Sequence, residues 1–178
     1  MEIEMKTLAL VGALIALVAT PALAHITLAD AEAAAGGAYK AVLQVGHGCE
    51  GEATTGIRVQ IPDGVIDVKP MPKPGWTLET VAGAYAEPVE LFGETLSEGV
   101  REIHWSGGEL PDAWYDEFVF RGRLTEGLAG QTIYFPVVQE CGEAATRWIE
   151  IPAEGQTEED LEEPAPALTV TAPAAGQD

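Results

Sequence analysis

Short runs in which apolar and polar residues alternate recur through the middle of the chain. Ile57, Val59 and Ile61 point one way and Arg58 and Gln60 the other, which is the period of a strand with one face buried. Comparable runs occupy residues 39–45, 55–62, 65–70, 76–81, 100–105, 116–124, 131–139 and 146–152, with Gly, Pro and Asp filling the gaps. Eight such strands predict an all-β, antiparallel β-sandwich. Residues 82–99 fit no element and are expected to form a loop. The stretch ITLADAEAAAGGA reads as a short helical turn cut off at Gly36 and Gly37, leaving His25 on an extended arm against the sandwich.

The two ends differ from the middle. Residues 7–20, TLALVGALIALVAT, form an uncharged apolar run too short to cross a bilayer, followed by Pro21 and Ala22-Leu23-Ala24. This is the layout of a secretory signal over residues 1–24, cleaved between Ala24 and His25. Glu2 and Glu4 are unusual in its first region, and a start at Met5 gives a more ordinary leader. Residues 153–178 carry seven acidic and no basic side chains, with Pro and Ala interspersed. That composition predicts a disordered tail, so the expected folded domain is residues 25–152. No apolar stretch after residue 24 has the length of a membrane anchor, and the mature chain is expected to be periplasmic or secreted.

A formal charge of -20 argues against nucleic acid and anionic membranes as partners. Export to an oxidising compartment makes a disulfide between Cys49 and Cys141 the natural expectation. Such a bond pins the first predicted strand to the seventh, and the loop-entropy model gives it about 4–5 kcal/mol. A copper-thiolate site is the less favoured alternative, since neither cysteine sits in a CxxC pair and no Met cluster accompanies them.

Cleavage before His25 exposes an α-amine on a residue that also carries an imidazole. The amine nitrogen and Nδ1 close a six-membered ring with one metal ion. Both groups release protons near neutral pH, so a metal competes for their lone pairs at little cost. Paired nitrogen donors favour Cu(II) over hard, oxygen-seeking ions. With 3 His in the chain, a histidine at this position by chance is the competing reading. His47, two residues before Cys49 in GHGC, is a second place to look for a metal ligand.

The ordered region as a whole resembles a known family. The segments AHITLADAEAAAGGAYKAVLQV, VQIPDGVIDVKPMPKPGW, EIHWSGGELPDAWYDEFVF and RWIEIP, in that order, are similar to the YcnI-type copper-binding domain of bacterial extracytoplasmic proteins. The resemblance implies an immunoglobulin-like or cupredoxin-like sandwich that binds one Cu(II) through a single-histidine brace. It implies that His25 gives the amine and Nδ1, that Glu117 of YDEF gives an oxygen, and that Trp148 of RWIEIP lies beside the metal. It implies copper trafficking or buffering, as a chaperone or store exchanging the ion with other periplasmic copper-handling proteins, and no enzymatic activity. Relatives with a carboxy-terminal membrane helix differ from this chain in that respect. His47 and His104 stand as second-rank metal candidates.

Each carried residue has a plainer reading. Glu117 shares a face with Val119, and Arg121 on that face is an alternative to a metal as its cation. Trp148, like Trp76 and Trp105, is by default a core aromatic; beside a metal its ring face favours the cation and limits water access. Two other functional classes remain: a copper monooxygenase, which needs a second histidine and a flat aromatic surface, and a metal-free interaction module.

Overall fold

The computed structural model describes residues 25–173. The expected leader, residues 1–24, and the last five residues lie outside them. Twelve strands are present in this region: β1 (Thr27–Leu28), β2 (Glu32–Ala34), β3 (Ala38–Val45), β4 (Thr54–Gln60), β5 (Val65–Pro70), β6 (Thr77–Leu91), β7 (Glu94–Leu110), β8 (Asp116–Leu124), β9 (Thr132–Tyr134), β10 (Val137–Cys141), β11 (Ala144–Trp148) and β12 (Ala167–Thr171). One sheet runs β1-β3-β8-β5 and a second β11-β10-β4-β7-β6; both are antiparallel throughout. Among the described residues there is no α-helix, and no helix is long and apolar enough to cross a membrane.

Alternation along the strands makes the core. Leu43 and Val45 of β3, Ile57 and Val59 of β4, Ile103 and Trp105 of β7 and Phe118 and Phe120 of β8 are all fully buried in one cluster. The Trp105 ring from one sheet meets Phe118 from the other at 5.6 Å between centroids. Burying side chains of this size contributes about 1.5–3 kcal/mol each. The Trp105 indole N–H donates to the Met71 carbonyl at 3.0 Å, so the burial leaves no orphaned donor.

Three expectations are corrected. Residues 82–99 are not a loop: they are the outer half of a long β6–β7 hairpin, paired from Ala82↔Val100 to Leu91↔Glu94. Phe92 and Gly93 form its tip, both at positive φ (52° and 84°), as a tight two-residue hairpin turn requires. The predicted helical turn is instead β1 and β2. Its alanines favour helix, but pairing with β3 and β12 outweighs that weak preference.

The third correction concerns residues 153–178, of which residues 153–173 are folded rather than disordered. Strand β12 lies parallel to β2 and antiparallel to β9 in a third, small sheet. Leu168 and Val170 are fully buried and alternate with Thr169 and Thr171. An average over an acidic, Pro-rich segment hides this five-residue amphipathic strand. The turn before it is tied down by Glu150, whose carboxylate accepts from the Glu162 and Glu163 amides at 3.0 and 2.8 Å. The domain boundary expected at 152 therefore moves beyond β12.

Candidate metal centre at the amino-terminal arm

Strand β1 carries the arm into the sandwich. Ile26 and Leu28 are buried on one side of it, 3% and 7% exposed, while Thr27 pairs with Gln44 of β3. This anchors His25 beside Trp148 at the end of β11. Its ring packs on Trp148, 5.4 Å between centroids and tilted by 58°. Its Nε2 is buried and has no hydrogen-bond partner among the described residues. A neutral imidazole that gives Nδ1 to a metal keeps its proton on Nε2.

Trp148 ends β11 with only 5% of its surface exposed. Its ring is shared with a second histidine: His47 meets it edge-on, 6.2 Å between centroids and 80° between planes. The loop that holds His47 is locally determined. Gly48 lies so close to the Glu52 carbonyl that any Cβ would collide with it. Cys49 and Glu52 exchange backbone hydrogen bonds of 3.1 and 2.8 Å across a turn in which Glu50 and Gly51 have positive φ. The expected disulfide is present and ties Cys49 to Cys141 at the end of β10. Nδ1 of His47 faces the Gly48 carbonyl. A ring nitrogen against a carbonyl oxygen carries the proton, so the lone pair of His47 is on Nε2.

The residue that binds this edge together did not emerge from the sequence. Gln139 is fully buried in β10. Its Oε1 accepts from the Trp148 indole N–H at 3.0 Å, and its Nε2 donates to the His47 carbonyl at 2.6 Å and to Thr54 Oγ1 at 2.7 Å. The signal available was strand parity: Val137, Gln139 and Cys141 share a face, and a cysteine committed to an internal disulfide marks that face as inward.

The refolded C-terminal segment closes the other side. A cavity of about 280 Å³ is lined by His25 and Leu28 of the arm together with Glu158, Pro164 and Ala165. Ala165 is held by its amide to the Glu150 carbonyl at 2.8 Å.

Glu117 lies across β3 from the arm, opposite Gln44, which itself pairs with Thr27. It is exposed on the outer face of β8, where its neighbour Phe118 points into the core. The expectation that it borders apolar material and needs a cation is corrected, since solvent reaches it. Its Oε1 accepts from the Tyr115 hydroxyl at 2.6 Å. That hydroxyl also accepts from Gln44 Nε2 at 2.9 Å, and Gln44 accepts from Thr27 Oγ1 at 3.2 Å. A polar row thus leads from the arm to the carboxylate. Partial burial, and then the adjacent Glu117, push the Tyr115 phenol above its ordinary range.

His104 belongs to a different cluster, on the outer face of the second sheet. Its Nε2 lies 3.2 Å from Glu140, and Arg58 reaches Glu102 and Glu140, each at 3.1 Å. Burial pulls the Glu140 carboxyl up, but hydrogen bonds from Arg58 and His104 outweigh it and hold the group below the ordinary carboxylate range. The structure therefore brings together His25, Trp148 and His47, and sets Glu117 and His104 apart from that contact set. Among the described residues no group of three or more His, Cys, Asp or Glu side chains converges on one metal-sized centre. The donors within this set are the two imidazoles and, on the expected cleavage before His25, its amine, a nitrogen-rich combination that fits copper.

Comparison with known proteins agrees with the architecture. A domain of unknown function, DUF1775, matches residues 25–170. Those bounds begin at His25 and reach into β12. An uncharacterized protein from Nocardia farcinica, whose crystal structure reveals an immunoglobulin-like fold, superposes with a TM-score of 0.61 at 25% identity, covering 83% of this chain and 99% of its own. No curated protein matches this chain.

Proposed function

This chain belongs to the DUF1775 family, the YcnI-like domain, and on that premise we propose that it is an extracytoplasmic copper-binding protein that buffers or passes on Cu(II). In this reading the leader is removed after Ala24, and His25 offers its new amine and its Nδ1 to the ion. Trp148 shields one side, His47 supplies the second imidazole, and Glu117 is a more distant carboxylate. Copper, when bound, contributes a Lewis-acidic centre with exchangeable positions; the chain's part is to hold the nitrogen donors at an edge open enough for transfer. The acidic surface draws cations toward it.

One observation carries the reading: the imidazole of His25 is packed against Trp148 with its Nε2 buried and unpartnered. With Nε2 turned into the protein, Nδ1 is the ring nitrogen left to act beside the α-amine, on the one residue that cleavage turns into a chelate. The test is copper titration of protein starting at His25, with electron paramagnetic resonance counting the nitrogens. Tight binding of one equivalent, weakened at least tenfold by one extra residue before His25, supports it. Equal affinity in the extended and native forms removes the amine from the site.

A further inference from the structure

Gln139 is one of only two fully buried polar side chains in the described region, the other being its partner Thr54. A primary amide offers two donors and an acceptor, and here all three are used. Oε1 takes the indole proton of Trp148, while Nε2 holds the His47 carbonyl and the Thr54 hydroxyl. Trp148 and His47 come from separate parts of the chain, β11 and the loop after β3. Each touches the other's ring, and Trp148 also touches His25. The hydrogen bond to Gln139 fixes which way the indole plane turns. The bond to His47 fixes how far the loop reaches in toward it.

The disulfide alone does not set that geometry. It joins Cys49, two residues beyond His47, to the end of β10 and so limits the loop's travel without orienting either ring. Thr54 occupies the remaining amide proton but contacts neither ring in the hydrogen-bond network. A hydrophobic side chain of similar size would fill the space equally well and avoid desolvating an amide. An amide there is therefore accounted for by what it holds.

We infer that Gln139 is a positioning residue for the copper site: it couples the indole of Trp148 to the His47 loop and sets both against His25. This inference rests on the copper-binding reading, but part of its test is metal-free. Three variants separate positioning from mere stability. Gln139→Met removes all three hydrogen bonds at similar length. Gln139→Glu retains an acceptor for Trp148 and loses at least one donor. Thr54→Val removes the bond that does not lead to the site.

In the apo protein, the Trp148 indole N–H and the His25 and His47 imidazole resonances are expected to move in both Gln139 variants and to stay in place in Thr54→Val. With Cu(II) loaded, both Gln139 variants are expected to bind at least tenfold more weakly with altered nitrogen hyperfine structure, and Thr54→Val within twofold of the parent. Unmoved indole and imidazole signals in Gln139→Glu, or equal shifts in Thr54→Val, overturn the positioning role. If Gln139→Met does not fold, the comparison of Gln139→Glu with Thr54→Val still decides. Failure of the parent to bind copper rejects the proposed function alone, because the apo signals test the positioning independently.

Discussion

Two histidines on opposite sides of the second sheet show how differently this fold treats the same side chain. His104 lies on the outer face in a network with Glu140, Arg58 and Glu102, where each charge has a partner within 3.2 Å. His25 lies before β1, against Trp148 of β11, with a buried nitrogen that has none among the described residues. The first arrangement pairs its groups with one another and contributes modest stabilisation to a partly exposed surface. The second holds an imidazole against Trp148 with its Nε2 turned inward, at the place where an amino terminus is expected to be generated.

The largest expected effect comes from the bond that holds the second region together. Replacing Cys49 and Cys141 with Ala should lower stability by about 4 kcal/mol in chemical denaturation and weaken copper binding by releasing the His47 loop. Unchanged copper affinity in that variant would mean that the loop takes no part in the site. Next is Leu168→Ala in β12, which should cost about 2–5 kcal/mol. A disordered tail predicts no change, so this substitution directly tests whether residues 153–173 fold over the arm.

A third comparison sets His47→Ala against Glu117→Gln. The geometry predicts that the first weakens Cu(II) binding at least tenfold, about 1.4 kcal/mol, and the second by much less. The reverse order, measured by competition with a chelator, would return the carboxylate to the centre. The smallest effect belongs to the His104 side. Glu140→Gln should cost about 1 kcal/mol or less, because the pairs are partly exposed, and leave copper binding unchanged. The Glu140 carboxyl titrates below its unfolded value, so its contribution is complete above the unfolded carboxylate range and is lost as pH falls through the lower folded one. The difference between parent and Glu140→Gln should therefore shrink under acid.

The sheets were legible because most of their strands bury one face. Strand β8 was expected at 116–124 and β5 at 65–70, and both occur with those bounds, since β-branched and aromatic residues cluster in each even though β5 carries a register shift between Ile66 and Lys69. The run expected at 131–139 divides into β9 and β10 around Pro136 and the buried Phe135, a break that proline's missing donor explains. Hairpin residues 82–99 escaped because they lie mostly beyond the core: the positions that alternate along β6, Tyr85, Val89 and Leu91, are only half-buried, and the Gly, Ala and Pro between them weaken the strand pattern.

At the site, His25 and Trp148 were named together on the strength of the resemblance, and their rings do meet. The environment expected of Glu117 was misjudged, because period-two parity tells which residues share a face but not whether that face is covered. Val119 on the same face is 8% exposed, yet Glu117, at the strand's end, is open to solvent. Gln139 was passed over since a lone glutamine in a strand is ordinarily a surface residue.

What the sequence by itself determined about this protein is local and additive. It established the fold class, the cysteine pair and the presence of one histidine behind a leader-like segment, because strand periodicity and cleavage chemistry depend on neighbouring residues. Only the tertiary structure decided which distant groups share an edge: His47 rather than Glu117 beside Trp148, a C-terminal strand packed by the arm, and an amide linking two rings. Those juxtapositions arise from sheet register and from satisfying buried polar atoms. Both are properties of the whole packed chain, and no window along it contains them.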